Sequence, residues 1–525
     1  MAELRARWAR PGTKDGWLAS DYFDLVREDG SAACIDDKTW ADLEFPKIFS
    51  SIDSTVTPVG SQVLYRQMRE YADDTEELAA RYAAYRELQA NVTLREKLQR
   101  ALLPLREEDH ARIAAFIFGP STPLLGHGAL VSMWGLASVA VLIAVVTLSW
   151  PVWIWIAMVF VNTIIIFRLY RRTVEEAETL ERCLRLAGVA EGLAALHGGH
   201  PSLPCLTKLH DEDVNRKAVH RALRWLAFMK RPLVSYVVVW LNFAFLLELS
   251  VHVRAMGRLV RLRHKLAASF EGVGEIDAMI AVASCLEYCP GHCQPELTDR
   301  SELEIEDGLH PLLVGGVANS VRLDRRSALV TGSNMAGKTT FIKMLGVNAL
   351  LAQTLGFCLA SRAVIPRATV MASIQAAHSV ASGKSHYFSE VETIHSFLAR
   401  KARGGCAMFV IDELFSGTNT MERVAIAHAV LESLSDRSLV LATTHDVELQ
   451  AVLEGRYDLY HFQESPEVDG FFDYRLRPGP ATERNAIRLL KELGFPDGII
   501  TNAMRYAEQE MRAGGRSAVR RGGSA

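Results

Sequence analysis

Apolar positions along this chain follow three rhythms. From Thr75 to Leu105 and from Arg172 to His197 they recur every three or four residues among Ala, Leu, Glu and Arg, the spacing of helices that bury one face. Between Arg112 and Arg168 periodicity gives way to a solid apolar block, because none of the 55 positions is Asp, Glu, Lys or Arg. From Glu302 onward short β-rich runs such as SALVTG, CAMFVID and SLVLATTH alternate with helical stretches, which predicts a parallel sheet with crossover helices. The expected fold class is multidomain: an α-helical core or lever region carrying a transmembrane helical hairpin, then an α/β domain with a mostly parallel sheet.

The uncharged block holds LVSMWGLASVAVLIAVVTLSW and VWIWIAMVFVNTIIIF, enough for two spans at about 20 residues each. Ser149-Trp150-Pro151 sits between them, where a proline turn divides a hairpin. Trp150, Trp153, Trp155 and Tyr170 suit interfacial belts, and Arg168, Arg171 and Arg172 place the exit on the cytoplasmic side. A buried helical pair is the alternative, and it would have to hide the whole block without one charge. A third run, Pro232 to Leu247, is short for a span and carries Asn242, with Glu248 next to it. A third crossing would also put everything after it outside the cell. It reads as a core or interfacial helix, with a re-entrant hairpin as the alternative. From Val214 to Lys265 there are eleven Lys or Arg and one acid, Glu248, a local excess that suits anionic headgroups or a nucleic-acid backbone.

Composition adds limits. The chain has 525 residues, so several domains are expected, and its net charge of −3 offers no global basic field for nucleic acid. Eight cysteines in this length are no disulfide scaffold, and the N-terminus lacks the apolar core of a signal peptide, so the bulk of the chain is expected in the cytoplasm. Cys285, Cys289, His292 and Cys293 lie close together without zinc-knuckle spacing, and a helix-end loop is the plainer reading.

Chemistry concentrates in the second half. Gly332-Ser333-Asn334-Met335-Ala336-Gly337-Lys338-Thr339 fits GxxxxGK[ST] between a strand-like Ser327–Thr331 and a helix opening at Thr340. In that context backbone N–H groups converge on phosphate oxygens, Lys338 neutralises the β- and γ-phosphates, and the Thr339 hydroxyl ligates Mg²⁺. ATP and Mg²⁺ are therefore the expected ligands, bound by Gly332 through Thr340. An apolar strand ending in Asp412-Glu413 supplies a second magnesium contact, Asp412, and a carboxylate, Glu413, to orient or deprotonate the attacking water. His445, at the tip of LVLATTHD, is a candidate γ-phosphate sensor, with a capped loop histidine as its alternative. The candidate catalytic set is thus Lys338, Glu413 and His445.

These residues resemble a known family. TGSNMAGKTT is similar to the TGPNMGGKST P-loop of MutS-type ATPases, DELFSGTNTMERVAIAHAVLE to their DELGRGTST block, and LATTHDVEL to their histidine switch. ASGKSHYFSEVETI resembles the stretch that donates a serine across the dimer, which implies that role for Ser385, with Glu390 shared. CQPELTDRSELEIEDGLHPLL resembles the entry to the ATPase domain, and YRLRPGPATERNAIRLLKELGFPDGIITNAM the LxxGPA strand followed by the helix-turn-helix used for dimerisation. DSTVTPVGSQVL resembles the opening of the helical core. Patterning and resemblance together lead to the expectation of an N-terminal segment at 1–40, a helical core or lever region at 41–293 into which the apolar run sets the hairpin at about 129–169, and a P-loop, ABC-type ATPase domain at 294–510. A disordered tail follows at 511–525.

The departures from the family bear on function. The core motif opens near residue 40, which leaves no room for the family's Phe-x-Glu mismatch wedge. Phe462-Gln463-Glu464 fits the wedge by letters but reads as strand. Ser416 and Ala336 replace an Arg and a Gly of the family patterns. The leading expectation is a membrane-anchored, MutS-like ATPase in a bacterial-type inner membrane, its ATPase domain cytoplasmic, forming a homodimer with composite nucleotide sites and meeting lipid through 129–169. Two alternatives stand beside it, a membrane-tethered DNA-binding repair or recombination factor without mismatch specificity, and an ABC-type transporter component. The latter is disfavoured by the ASGKS block where LSGGQ would stand.

Overall fold

The computed structural model describes residues 2–12, 14, 19–27, 34–106, 111–120, 128–198, 203–211, 232–289, 291–313, 315–333, 336–374, 386–415, 418–464, 472–480 and 495–506. Contacts divide the chain into two compact units, one built from 1–34, 46–290 and 353–356, the other from 35–45, 291–352 and 357–525.

The first unit is helical. Its core forms where α1 (Pro58–Arg69) packs on a helix far along the chain, Arg263–Tyr288. Thr57 caps α1 by accepting from Gly60 N–H at 3.0 Å, and Pro58 occupies the first turn, where its missing N–H costs nothing. The fully buried Asp277 then locks the pair, accepting from Val56 N–H (2.8 Å), Thr57 N–H (2.7 Å) and the Thr57 hydroxyl (2.7 Å). Glycine is required at the crossing: a Cβ on Gly60 would lie 2.4 Å from Asp277 Oδ2, and one on Gly274 2.3 Å from Val63 Cγ2. The DSTVTPVG run is thus a helix entry shaped around a distant buried carboxylate.

The uncharged block forms α2 (Gly128–Thr147) and α3 (Val152–Ala194), joined through Ser149 at a φ of +54°. Leu130–Thr147 and Val152–Leu169 are both long and apolar enough to cross a membrane, and they are only 17% and 6% buried within the protein. The sequence suggests one helix ending near Arg168 and another opening at Arg172. Instead α3 continues unbroken for 43 residues, about 65 Å at 1.5 Å per residue. Its apolar first half is exposed, while Leu180, Leu186, Ala190 and Leu193 of its second half are buried in the helical core. The third apolar run makes α4 (Pro232–Phe245), which breaks at Leu246 (φ +53°) and turns by 88° into α5 (Leu247–Arg261). The long helix Arg263–Tyr288, α6, follows.

The second unit is α/β. Strands β4 (Ser327–Thr331), β6 (Thr369–Ser373), β7 (Ala407–Asp412), β8 (Leu439–Thr443), β9 (Tyr457–Glu464) and β10 (Phe472–Pro478) form a sheet in the order β10-β9-β4-β8-β7-β6, parallel except for the β9–β10 pair. Its central strands β4 and β8 are buried at every residue, as continuous apolar runs covered on both faces must be. A second sheet, β1 (Glu296–Thr298), β5 (Arg362–Pro366), β2 (Glu302–Gly308) and β3 (Asn319–Asp324), runs β1-β5-β2-β3 and is mainly antiparallel. The domain therefore carries mixed sheets rather than a mostly parallel one alone. The helices around the site are α7 (Lys338–Thr354), α8 (His386–Ala402), α9 (Thr420–Ser435) and α10 (Val447–Leu453).

One contribution to this unit comes from the start of the chain. The helix Asp37–Asp42, capped by Asp36, lies along the edge strand β6. The Thr39 hydroxyl accepts from Ala372 N–H (2.9 Å) and Asp42 Oδ2 from Ile374 N–H (2.9 Å). Edge amides that would otherwise template pairing with another strand are thereby satisfied.

Candidate nucleotide site

Parallel register decides where the chemistry collects. β8 lies between β4 and β7, with Thr443 opposite both Val330 and Asp412, so the carboxyl ends of all three strands open at one edge. At the end of β4 the chain turns through Gly332, whose φ is +138° and where a Cβ would lie 2.7 Å from Phe462 O, so a side chain is excluded. Gly337 (φ +104°) then delivers Lys338 to the first turn of α7. Ala336 is buried, and its N–H donates to Ser333 O at 3.2 Å, closing the loop.

Lys338 is held close. Its ammonium donates to Gly332 O (2.8 Å) and Ser333 O (3.0 Å) and lies 3.2 Å from His445 Nε2. Burial pushes its pKa down to about 8, against the opposing pull of Glu413 and Asp412. Thr339 Oγ1 donates to Asp412 Oδ2 at 2.9 Å, and the Thr443 hydroxyl donates to Asp412 Oδ1. Thr443 also accepts from Glu413 N–H at 3.3 Å, pinning a residue whose φ of +49° is uncommon for a non-glycine. The turn aims Glu413 at His445, Oε1 to Nε2 being 2.6 Å, and that hydrogen bond is the main reason the Glu413 carboxyl is held below its ordinary range. His445 Nε2 carries a hydrogen when it donates to Glu413 and a lone pair when it accepts from Lys338, so its tautomer selects the partner. Arg423 on α9 grips the neighbouring Asp446 through two bonds of 2.6 and 2.8 Å.

Beside the P-loop opens a cavity of about 430 Å³, walled by Leu309, Val317, Phe462 and Tyr474, with His310 and the exposed Thr340 at its polar edge. Leu312 N–H donates to His310 Nδ1 at 3.3 Å, while the buried Nε2 has no hydrogen-bond partner. Burial lowers the His310 pKa to about 4, so the ring is neutral near pH 7. Asn319 ties the wall together, donating to Tyr474 O (2.9 Å) and accepting from Leu476 N–H (2.7 Å).

This combination of loop, paired acids and histidine coincides with a recognised domain: residues 328–511 match the family described as MutS domain V. The C-terminal half of this chain is MutS-like. Among similar proteins, a DNA mismatch repair protein MutS of Thermus aquaticus is 30% identical over 263 residues, covering 49% of this chain and 32% of that protein. One from Natronomonas pharaonis is 30% identical over 266 residues, 47% of this chain and 30% of its own length. One from Haloquadratum walsbyi is 26% identical over 359 residues, 65% of this chain and 38% of the relative. The chain thus spans about a third of the length of the curated relatives it matches.

Of the MutS-like residues singled out from sequence, the structure brings Gly332, Ser333, Ala336, Gly337, Lys338, Thr339, Asp412, Glu413 and His445 to one sheet edge, with Thr340 facing the adjoining cavity. Asn334, Met335, Ser385 and Ser416 lie outside the described residues, as does most of the proposed helix-turn-helix, 481–494. Glu390 on α8 accepts from Phe415 N–H, and burial raises its pKa. Phe462-Gln463-Glu464 lies in β9, where Phe462 lines the cavity and packs edge-on to Phe341 at 5.9 Å. Sequence reasoning did not single out Thr443 or the Arg423–Asp446 pair. Nothing local marks Thr443, since its role comes from standing opposite Asp412 in the sheet. Among the described residues no group of three or more His, Cys, Asp or Glu is placed to hold a metal ion. The Cys285 and Cys289 thiols are 3.9 Å apart, one helical turn from each other, while the Cys293 backbone pairs with Cys358.

Proposed function

We propose that this protein is a membrane-anchored, MutS-like ATPase whose nucleotide cycle opens and closes a homodimer. The observation that carries the reading is the convergence of Lys338, Thr339, Asp412, Glu413 and His445 within hydrogen-bonding distance at the end of a parallel sheet. The triphosphate lies along the P-loop amides with Lys338 at its β- and γ-oxygens. The Thr339 hydroxyl and the Asp412 carboxylate, hard oxygen donors 2.9 Å apart, fit Mg²⁺. Bound there, the ion neutralises charge on the β- and γ-phosphates. Glu413 holds and deprotonates the attacking water, while His445, shared between Glu413 and Lys338, reports whether the γ-phosphate is present. The apolar cavity takes the base. Ser385 completes the site of the partner protomer.

The lever is α3, an uninterrupted helix that joins the apolar hairpin to the helical core. The hairpin crosses a bacterial-type inner membrane, with the α/β unit on the cytoplasmic side. The test is steady-state ATP hydrolysis of the full chain in detergent. Lys338→Ala is expected to abolish turnover, and Glu413→Ala to retain nucleotide without hydrolysing it. Unchanged turnover in both variants overturns the assignment. A second reading, DNA binding, is favoured by one feature: Arg254, Arg258 and Arg261 are exposed along one face of α5. Salt-dependent DNA binding lost on neutralising the three arginines would establish it.

A further inference from the structure

The apolar hairpin is not a bare pair of helices. Asn162 stands in the middle of the apolar half of α3, and it is completely buried. Its carboxamide is fully engaged. Oδ1 accepts from Trp134 Nε1 (2.9 Å), while Nδ2 donates to Ala244 O (2.9 Å) and Phe243 O (3.2 Å) and lies 3.3 Å from Ser138 Oγ. The two carbonyls belong to the last turn of α4, where the break at Leu246 leaves backbone acceptors without helical partners. Across the break, Asn242 Oδ1 accepts from Leu249 N–H at 3.3 Å. Gly135 admits the bend, since a Cβ there would lie 2.5 Å from Phe245 O. Leu246 and Leu249 then pack with Val131, Ile165 and Leu169.

These contacts fix depth. Asn162 is seven residues from Leu169, the end of the second candidate span, about 10 Å along the helix axis. The end of α4 therefore sits inside the apolar layer that the hairpin defines. A broken helix at that depth needs internal partners for its carbonyls, and Asn162 supplies them. The outward face of α4 is equally apolar: Trp240 is 77% exposed, Val237 58% and Val239 47%. Cations flank the element on both sides, Lys230 and Arg231 before it in sequence, Arg254, Arg258 and Arg261 after the bend. Cations at both ends place both ends on the same side of a membrane.

We propose that α4 is a third lipid-embedded element, a re-entrant half-helix that dips into the bilayer beside the hairpin, is pinned there by Asn162, and returns through α5 to the side it entered. Its partner is the lipid bilayer: acyl chains against Val237, Val239 and Trp240, anionic headgroups against the arginines of α5. The inference rests on insertion of the hairpin, and the experiment separates the two.

Single-cysteine additions are made in the full chain in oriented membrane vesicles and labelled with a membrane-impermeant maleimide, each site being read by peptide mass spectrometry. Lys208→Cys, before α4, and Arg254→Cys, after it, are expected to label from the same side, with Trp150→Cys at the hairpin turn labelling only from the other. Trp240→Cys should label from neither side until detergent is added. Lys208→Cys and Arg254→Cys labelling from opposite sides would make α4 part of a crossing and overturn the proposal. Trp240→Cys reacting freely in intact vesicles while Trp150→Cys stays on the far side would reduce α4 to a surface helix, also overturning it but sparing the hairpin. Trp150→Cys labelling from the same side as Arg254→Cys defeats the hairpin reading and the proposal together. Asn162→Leu, which keeps the span apolar, should leave Trp150→Cys unchanged and raise Trp240→Cys labelling about tenfold. Unchanged Trp240→Cys labelling in that variant would remove Asn162 as the pin.

Discussion

Thr443 offers the sharpest test of the nucleotide site, because one hydroxyl serves both acids. It is 1% exposed, donates to Asp412 Oδ1, and accepts from the N–H of Glu413, whose φ is +49°. Thr443→Val keeps the shape and removes both bonds. Losing a bond to a charged acceptor costs about 1.5–3 kcal/mol, and leaving a buried N–H unpaired about 1–3 kcal/mol more. Some of this is recovered as Asp412 keeps Thr339 and the Glu413 turn relaxes. A net of about 3 kcal/mol corresponds to roughly a hundredfold in an equilibrium that needs the two acids in place. The assay is titration of a fluorescent ATP analogue with and without Mg²⁺. In Thr443→Val the magnesium-dependent gain in affinity should fall about 30- to 100-fold, while binding without Mg²⁺ changes less than about threefold. Thr443→Ser restores the hydroxyl and should lie within about threefold of the native protein. If Thr443→Val matches the native protein in both titrations, or Thr443→Ser is as impaired as Thr443→Val, the hydroxyl does not organise the site.

Two further outcomes follow from buried ionisable groups. The Lys338 pKa is pushed down to about 8, and phosphates brought beside it would favour its charged form, so nucleotide binding is expected to take up a proton wherever the free lysine is neutral. Affinity should therefore be flat below pH 8 and fall about tenfold per pH unit above it, a slope absent from Lys338→Arg; a flat profile to pH 9.5 at constant ionic strength would contradict this. Asp277 accepts three hydrogen bonds at the crossing of α1 and α6, so Asp277→Asn turns an amide donor toward a donor. A loss of about 2–4 kcal/mol is expected, read as a lowered melting temperature of the full chain, and an unchanged midpoint would show that the crossing does not depend on this carboxylate.

Much of the candidate site is legible in the sequence, because its signals are local. A glycine-rich loop between strand and helix, and an apolar strand ending in two acids, each lie within about ten residues and carry their own chemistry. The hairpin was legible for the same reason, since hydropathy over one span needs no knowledge of the rest of the chain. The continuity of α3 was not. Charges from Arg168 onward end the apolar run, which sequence reads as a boundary, whereas the backbone hydrogen bonds of a helix continue regardless of side-chain polarity. The antiparallel second sheet escaped as well, its strands being short and paired across some sixty residues, as with Glu304 opposite Val364.

The sequence by itself determined which residues form the P-loop pattern and its paired acids, which stretch is apolar enough for a membrane, and that an α/β domain follows a helical one. Those properties are carried by side-chain type and short-range spacing. Only the tertiary structure decided what holds those residues in place. Thr443 reaches Asp412 because β8 lies beside β7, and Asn162 reaches the carbonyls of Phe243 and Ala244 because α4 breaks against α3. The helix Asp37–Asp42 serves the α/β sheet although more than 300 residues separate it from β6. In each case a polar group is satisfied by a partner far along the chain, and such pairing is fixed by register and burial, which no local pattern encodes.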